Sequence, residues 1–311
     1  MRPPRRSKLS WRSGSARRFG APPLRLFPGA RAGLVTLLFA FFLTPSVHAT
    51  LAVIVPARDG IVIAADSRLT FLGAPCDGAF KILIPARPAR TAVVVTGDSI
   101  FVAPPPAGTR EPCRYLATAP RLLDIGSLVT RKLEQQSGSE DVDVAAITRS
   151  CIRALTHFQK RYPALVRGYA GRDLFSVVIA SYDPARATAT LRNFAIGIDV
   201  RTGKFQADRN SERVLTPESA RGIWIYGETG WVDRAVYAGP GRPLLTASTL
   251  QLLDVRAPIA ATPRGQALSA AENVLTAAIR TARSNPPPTG IGGPIRVVFL
   301  DASRRAQALI R

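Results

Sequence analysis

The sequence predicts an α+β fold built from packed layers. Three observations carry that expectation. Apolar, β-branched runs come in blocks rather than alternating one for one with helices. Two helical stretches stand together between the first and second blocks of strands. The last helix leads, through a Pro/Gly loop, straight into a closing strand.

The first strand is expected over Leu51–Pro56 and the second over Gly60–Asp66, joined by Ala57-Arg58-Asp59-Gly60, in which Asp-Gly favours a hairpin turn. Lys81–Ile84 and Thr91–Thr96 give two more strand signals, the latter closing at Gly97. Residues 102–114 (VAPPPAGTREPCR) read as a Pro-rich loop insertion. Helices follow over Leu122–Gln135 and Val142–Lys160; the second carries Val144, Ile147, Cys151, Leu155 and Phe158 on one face. Ser139-Glu140-Asp141 offers acidic and capping groups at its start. Strands resume at Leu174–Tyr182 and Thr188–Ile196 around the turn Asp183-Pro184-Ala185-Arg186, and a short one spans Gly222–Tyr226. Leu268–Ala282 is an amphipathic helix, and Ile295–Leu300 closes the chain's regular structure.

Composition narrows the chemistry. The 311 residues hold 42 Lys and Arg against 21 Asp and Glu, a formal charge of +21. Nine of those charges sit in residues 1–49, which hold no acid. The rest of the chain has no basic run, and 37 of the 42 cations are arginine, so a nucleic-acid partner is not expected. His48 and His157 are the only histidines. That scarcity all but removes Ser-His-Asp and Cys-His catalysis and His-rich metal centres, and no C-x-x-C pair marks a zinc or redox site. No cofactor is expected.

Residues 1–32 are basic and rich in Pro, Gly and Ser; Gly33–Pro45 is an uncharged apolar run; Ser46-Val47-His48-Ala49 ends in a small residue. This order reads as a secretory signal peptide, with the apolar run short of the roughly 20 residues of a membrane span. The expected division is a leader, 1–49, and a single domain, 50–311. The product is exported, periplasmic or secreted; the alternative is a chain anchored in a membrane through residues 33–45. Cleavage after Ala49 would leave Thr50 as the first residue.

The segment Thr50–Thr70, TLAVIVPARDGIVIAADSRLT, resembles the first strand pair of proteasome β subunits, a family of N-terminal-nucleophile hydrolases. Ala64-Ala65-Asp66-Ser67-Arg68 reproduces that family's motif, and Asp66 follows Thr50 at the family's spacing. Gly78-Ala79-Phe80-Lys81-Ile82 resembles the strand with the catalytic lysine, one residue early. Val93-Val94-Val95-Thr96-Gly97-Asp98 resembles the strand ending at the oxyanion-hole glycine, and Ile223–Gly230 the glycine–serine loop, with Thr229 standing in for its serine. Leu268–Leu300 resembles the last helix, Gly-Gly turn and strand. The Asp and Ser that such subunits place before the final Gly-Gly are missing; Asn285–Ile291 reads NPPPTGI.

The resemblance implies a four-layer αββα sandwich and a threonine-type endopeptidase or amidohydrolase. Its site residues would be Thr50, Asp66, Lys81, Gly97 and Thr229. Its substrate would be a peptide or unfolded protein, and copies would associate in a ring or dimer. A membrane would be involved only if the leader is kept. The other readings are a non-catalytic structural subunit, or an amidase or acylase of a small molecule. In an oxidising compartment Cys76 and Cys113 are expected to pair, with Cys151 buried on a helix.

Overall fold

The computed structural model describes residues 48–49, 51–136, 142–166, 173–254, 256–285, 290–302 and 307–310. They belong to one compact unit running from Leu43 to Arg311. Among the described residues no helix is long and apolar enough to cross a membrane. The apolar run Gly33–Pro45 and Thr50 lie outside them.

The chain opens with strands β1 (His48–Ala49), β2 (Leu51–Ala57), β3 (Gly60–Asp66), β4 (Leu69–Phe71), β5 (Ala74–Cys76), β6 (Ile82–Leu83), β7 (Thr91–Gly97) and β8 (Ile100–Val102). Helix α1 (Pro112–Thr118), strand β9 (Arg121–Asp124) and helices α2 (Ile125–Gln135), α3 (Val144–Arg161) and α4 (Pro163–Val166) come next. Strands β10 (Asp173–Asp183), β11 (Thr188–Ile198), β12 (Phe205–Leu215) and β13 (Trp224–Gly227) precede helices α5 (Thr229–Val232), α6 (Ala247–Leu253) and α7 (Arg264–Ser284). Strands β14 (Ile295–Asp301) and β15 (Gln307–Ile310) end the fold.

Two five-stranded antiparallel sheets dominate, in the orders β13-β2-β3-β14-β15 and β12-β11-β10-β7-β6. The protein is thus a mixed α/β chain with several antiparallel sheets. Period-two alternation explains why the central strands are buried on both faces. In β2, Ala52 and Ile54 join a cluster with Val94, Val178 and Ala180 of the other sheet. Leu51, Val53 and Val55 point the other way, into a cluster with Val274, Leu275 and Ala278 of α7. In β7 and β10, Val93, Val95, Val177 and Ile179 join Val129, Ile147, Cys151 and Leu155 of α2 and α3. Each such Leu, Ile or Val contributes about 1.5–3 kcal/mol relative to exposure.

Several expectations are corrected. The 102–114 segment is not all loop: β8 pairs with β9, and α1 begins at Pro112. Proline suits a helix's first positions because the missing N–H has no partner there anyway. The helix expected from Leu122 begins only at Ile125, because Asp124 caps it by accepting from the Ser127 amide at 3.0 Å. Asp143, not Ser139–Asp141, caps α3, accepting from the Ala146 amide at 2.8 Å. The 11-residue β12 goes unannounced in sequence, since QADRNSERV has no apolar alternation and its pairing with β11 is what orders it.

Candidate active site

Asp66 ends β3 and is buried, 1% exposed. Four N–H donors converge on its carboxylate. Oδ1 accepts from the Leu51 amide at 3.1 Å and from Lys81 Nζ at 2.5 Å. Oδ2 accepts from the amides of Gly292 at 3.0 Å and Arg68 at 3.3 Å. A buried carboxylate needs such a set, because each unsatisfied charge loses its hydration on folding.

Lys81 is 3% exposed, and β6 starts one residue later. Its carbonyl accepts from the Val95 amide at 3.0 Å, which fixes it against β7. Burial holds the Lys81 ammonium below the usual lysine value; the charge and hydrogen bond of Asp66 oppose that shift, and Arg68 adds to it.

Gly97 ends β7, opposite Phe175 of β10. Its φ of +86° lies in the left-handed region, and a Cβ there would stand 2.6 Å from the Leu174 carbonyl oxygen. Only glycine fits both constraints. Thr229 opens α5 just beyond β13, whose Gly227 is the register partner of Leu51. The structure brings Asp66 and Lys81 together, sets Gly97 at the end of the adjacent strand, and leaves Thr229 outside the hydrogen-bonded set. Thr50, between Ala49 of β1 and Leu51 of β2, lies outside the described residues.

The contacts that tie Arg68 and Ser67 to the segment before Lys81 escaped the sequence. Arg68 and Asp77 form a two-pronged ion pair, Nε to Oδ1 at 2.7 Å and Nη2 to Oδ2 at 3.0 Å. The Ser67 hydroxyl accepts from the Gly78 amide at 3.4 Å, and the Ser67 carbonyl from the Ala79 amide at 2.9 Å. These bonds lash the segment leading to Lys81 onto the segment after Asp66. Acidic and basic residues nine positions apart in loops carry no periodic signal, so spacing alone does not find the pair. The Gly-Gly turn is the legible part: the Ser67 amide donates to the Gly292 carbonyl at 3.2 Å, and a Cβ on Gly293 would stand 2.7 Å from Ser67 Oγ.

No family model matches the chain. No curated protein matches it either. Similar solved structures include Anbu (ancestral beta-subunit) from Yersinia bercovieri, 16% identical with a TM-score of 0.44, covering 84% of this chain and 86% of that one. The Pseudomonas aeruginosa Anbu complex, described as a helical assembly, is 18% identical with a TM-score of 0.43 over 84% and 86%. Anbu from Hyphomicrobium sp. strain MC1 is 18% identical with a TM-score of 0.38 over 84% and 87%. The resemblance to proteasome β subunits is corrected accordingly: the structures found are Anbu proteins, and a likeness this loose carries neither family nor activity over to this chain.

Beside Lys81 opens a cavity of about 440 Å³. Apolar Leu69, Val95 and Leu116 and the Cys76–Cys113 disulfide line it together with the polar side chains of Asp77, Ser99, Arg121, Asp124 and Ser127. Cys151 is free and buried on α3, as expected. Among the described residues no group of three His, Cys, Asp or Glu side chains stands close enough to hold a metal ion.

Proposed function

We propose that the chain is a threonine-type amide hydrolase, exported and cut after Ala49, whose nucleophile is the hydroxyl of Thr50. The observation that carries this reading is the sharing of one carboxylate oxygen: Asp66 Oδ1 accepts from both Lys81 Nζ and the Leu51 amide. A buried lysine is thereby held beside the main chain one residue after Thr50. Chains nearly free of histidine need another base, and an N-terminal residue supplies one in its own α-amine, with a reference pKa near 7.7–8.0.

In this mechanism the neutral amine of Thr50 takes the hydroxyl proton as Oγ attacks the amide carbonyl. The Gly97 N–H meets the developing oxyanion, and such a donor typically lowers the barrier by about 3 kcal/mol. The protonated amine then returns its proton to the leaving nitrogen. Water hydrolyses the ester left on Thr50, with the same amine as base. Lys81 keeps the amine's pKa low by like-charge repulsion, and Asp66 keeps Lys81 in place. The leader has to leave first, because an acylated nitrogen is no base.

A four-layer αββα arrangement belongs to the same proposal. What supports it is the trio of apolar clusters, one between the two sheets and one on the helix side of each. The paired cysteines support maturation in an oxidising space.

The test is N-terminal sequencing of the processed protein, then labelling with a threonine-directed β-lactone. The expected result is a chain beginning at Thr50 that takes up one label, lost in Thr50→Ala and Lys81→Met. A chain that starts elsewhere yet cleaves amides would overturn the reading.

A further inference from the structure

We infer that Arg296 is a positioning residue for Lys81, acting through the ring of Phe80. The inference rests on the reading of Thr50 as the nucleophile and deepens it, because it concerns what keeps the lysine in place for that residue.

The Asp66–Lys81 pair spans the two large sheets. Asp66 ends β3 of one, and Lys81 leads into β6 of the other. An ion pair alone does not fix a lysine's place. The four-carbon stem is flexible, so Nζ can follow its counter-charge while the backbone shifts. The main chain around Lys81 therefore needs anchors of its own. Val95 holds the Lys81 carbonyl at 3.0 Å, and Ser67 holds the amides of Ala79 and Gly78 at 2.9 and 3.4 Å. Phe80 stands between these anchors, directly before Lys81. Its ring is 66% exposed, so hydrophobic burial does little to hold it.

Arg296 supplies the hold. It sits on β14 as the register partner of Ala65, the residue before Asp66. Val298 and Leu300 of the same strand face the other sheet, and period two puts Arg296 on that face too. Its guanidinium carbon lies 3.4 Å from the centroid of the Phe80 ring, and Nη2 donates to the Gly78 carbonyl at 3.4 Å. A flat, delocalised cation suits both tasks: its face lies on the ring while its N–H groups point outward in the plane. Arg296 is thus a strut from one sheet to the loop that enters the other. It meets that loop closer to Lys81 than Arg68 does at Asp77.

The experiment follows β-lactone labelling of the processed protein and separates the first-order step from the affinity of the encounter. Arg296→Ala should slow the first-order step about fivefold, the loss of one exposed cation–π contact, and leave the affinity unchanged. Phe80→Ala should do the same. The double variant should be no slower than either single one, since both act through one contact. Arg296→Lys should recover about half of the rate, because the charge returns without the flat face. Arg296→Met keeps the stem's packing and should slow labelling as alanine does, should the alanine variant fold poorly. The control is Arg264→Ala, which breaks a similar stack on Phe299, the register partner of Val62. It should leave the labelling step unchanged.

A second measurement does not depend on Thr50. The 13Cε resonance of Lys81, identified by its loss in Lys81→Met, should move or broaden in Arg296→Ala and stay in place in Arg264→Ala. A wild-type labelling step in Arg296→Ala, a loss confined to affinity, additive losses in the double variant, or equal slowing by Arg264→Ala overturns the inference. So does a Lys81 resonance indifferent to Arg296. A wild-type protein that takes no label sinks the nucleophile reading instead, and the resonance then decides the role of Arg296.

Discussion

The amide of Gly292 donates to Asp66 Oδ2 at 3.0 Å, joining two residues 226 positions apart. The pairing of β3 with β14, in which Ile295 is the register partner of Asp66, brings the Gly-Gly turn to the carboxylate. Asp66 is therefore held from three directions besides Lys81: the start of β2, its own loop at Arg68, and the turn before β14.

Asp66→Asn should cost about 3–5 kcal/mol, since Lys81 would stay buried without its counter-charge and an amide NH2 would face donors. Lys81→Met should cost less, because three backbone amides still satisfy the carboxylate. The double variant should be markedly more stable than the sum of the two losses. Urea denaturation of the four proteins reads this coupling, and simple additivity would count against a tight pair.

Gly97→Ala should lose about 2 kcal/mol or more, from the left-handed φ and from the close approach of Leu174 and Phe175. Gly73→Ala is the control: its φ is +77°, yet nothing stands within 4 Å of the added Cβ. That change should cost only about 1 kcal/mol. Melting temperatures of the pair separate crowding from conformation.

Cysteine counting should give three distinct results with iodoacetamide. The folded protein should take up no label, because one thiol is buried and the other two are bonded. Unfolding without a reductant should add one label, at Cys151. Unfolding with a reductant should add all three. Mass spectrometry reads the series.

Burial pushes the Cys151 thiol up from 9.0 to about 12. A raised folded value means that stability from the neutral thiol is complete below the unfolded value and is lost as pH climbs through the folded one. Between pH 9 and 12, wild type should therefore lose up to about 1.4 kcal/mol per pH unit more than Cys151→Ala. Lys81 works in the opposite sense: its lowered value makes stability rise with pH up to 10.5. Lys81→Met should steepen the alkaline loss. Chemical denaturation at pH 8, 9 and 10 checks both signs.

The order of the longer strands and helices is readable because those elements carry their own periodicity, whereas short ones such as β4, β5, β8, β9, α1 and α6 carry none. Thr50–Arg68 places the hairpin and Asp66, and the runs at 91–97 and 174–182 alternate between two faces. Lys81 stands out in the sequence only through the resemblance of Gly78–Ile82, because a strand of two residues gives no pattern of its own. What could not be read is what depends on folding at a distance. Asp77 looks like any loop acid until Arg68 meets it. The 102–114 segment looks structureless because its prolines suppress helical periodicity, while a disulfide and a small apolar cluster supply the missing stability. The polar β12 is ordered by its neighbour, not by its own residues.

The Cys76–Cys113 bond closes a ring of polypeptide, and both Lys81 and Gly97 ride inside it while Asp66 and Gly292 stay outside. Once the ring is shut, the unfolded chain has fewer ways to hold those two residues apart, an advantage of about 4 kcal/mol for a loop of 37 residues. Molecules that mature where thiols are kept reduced forgo that head start. The redox character of the compartment thus enters the assembly of the Asp66–Lys81 pair as directly as the amino acids themselves.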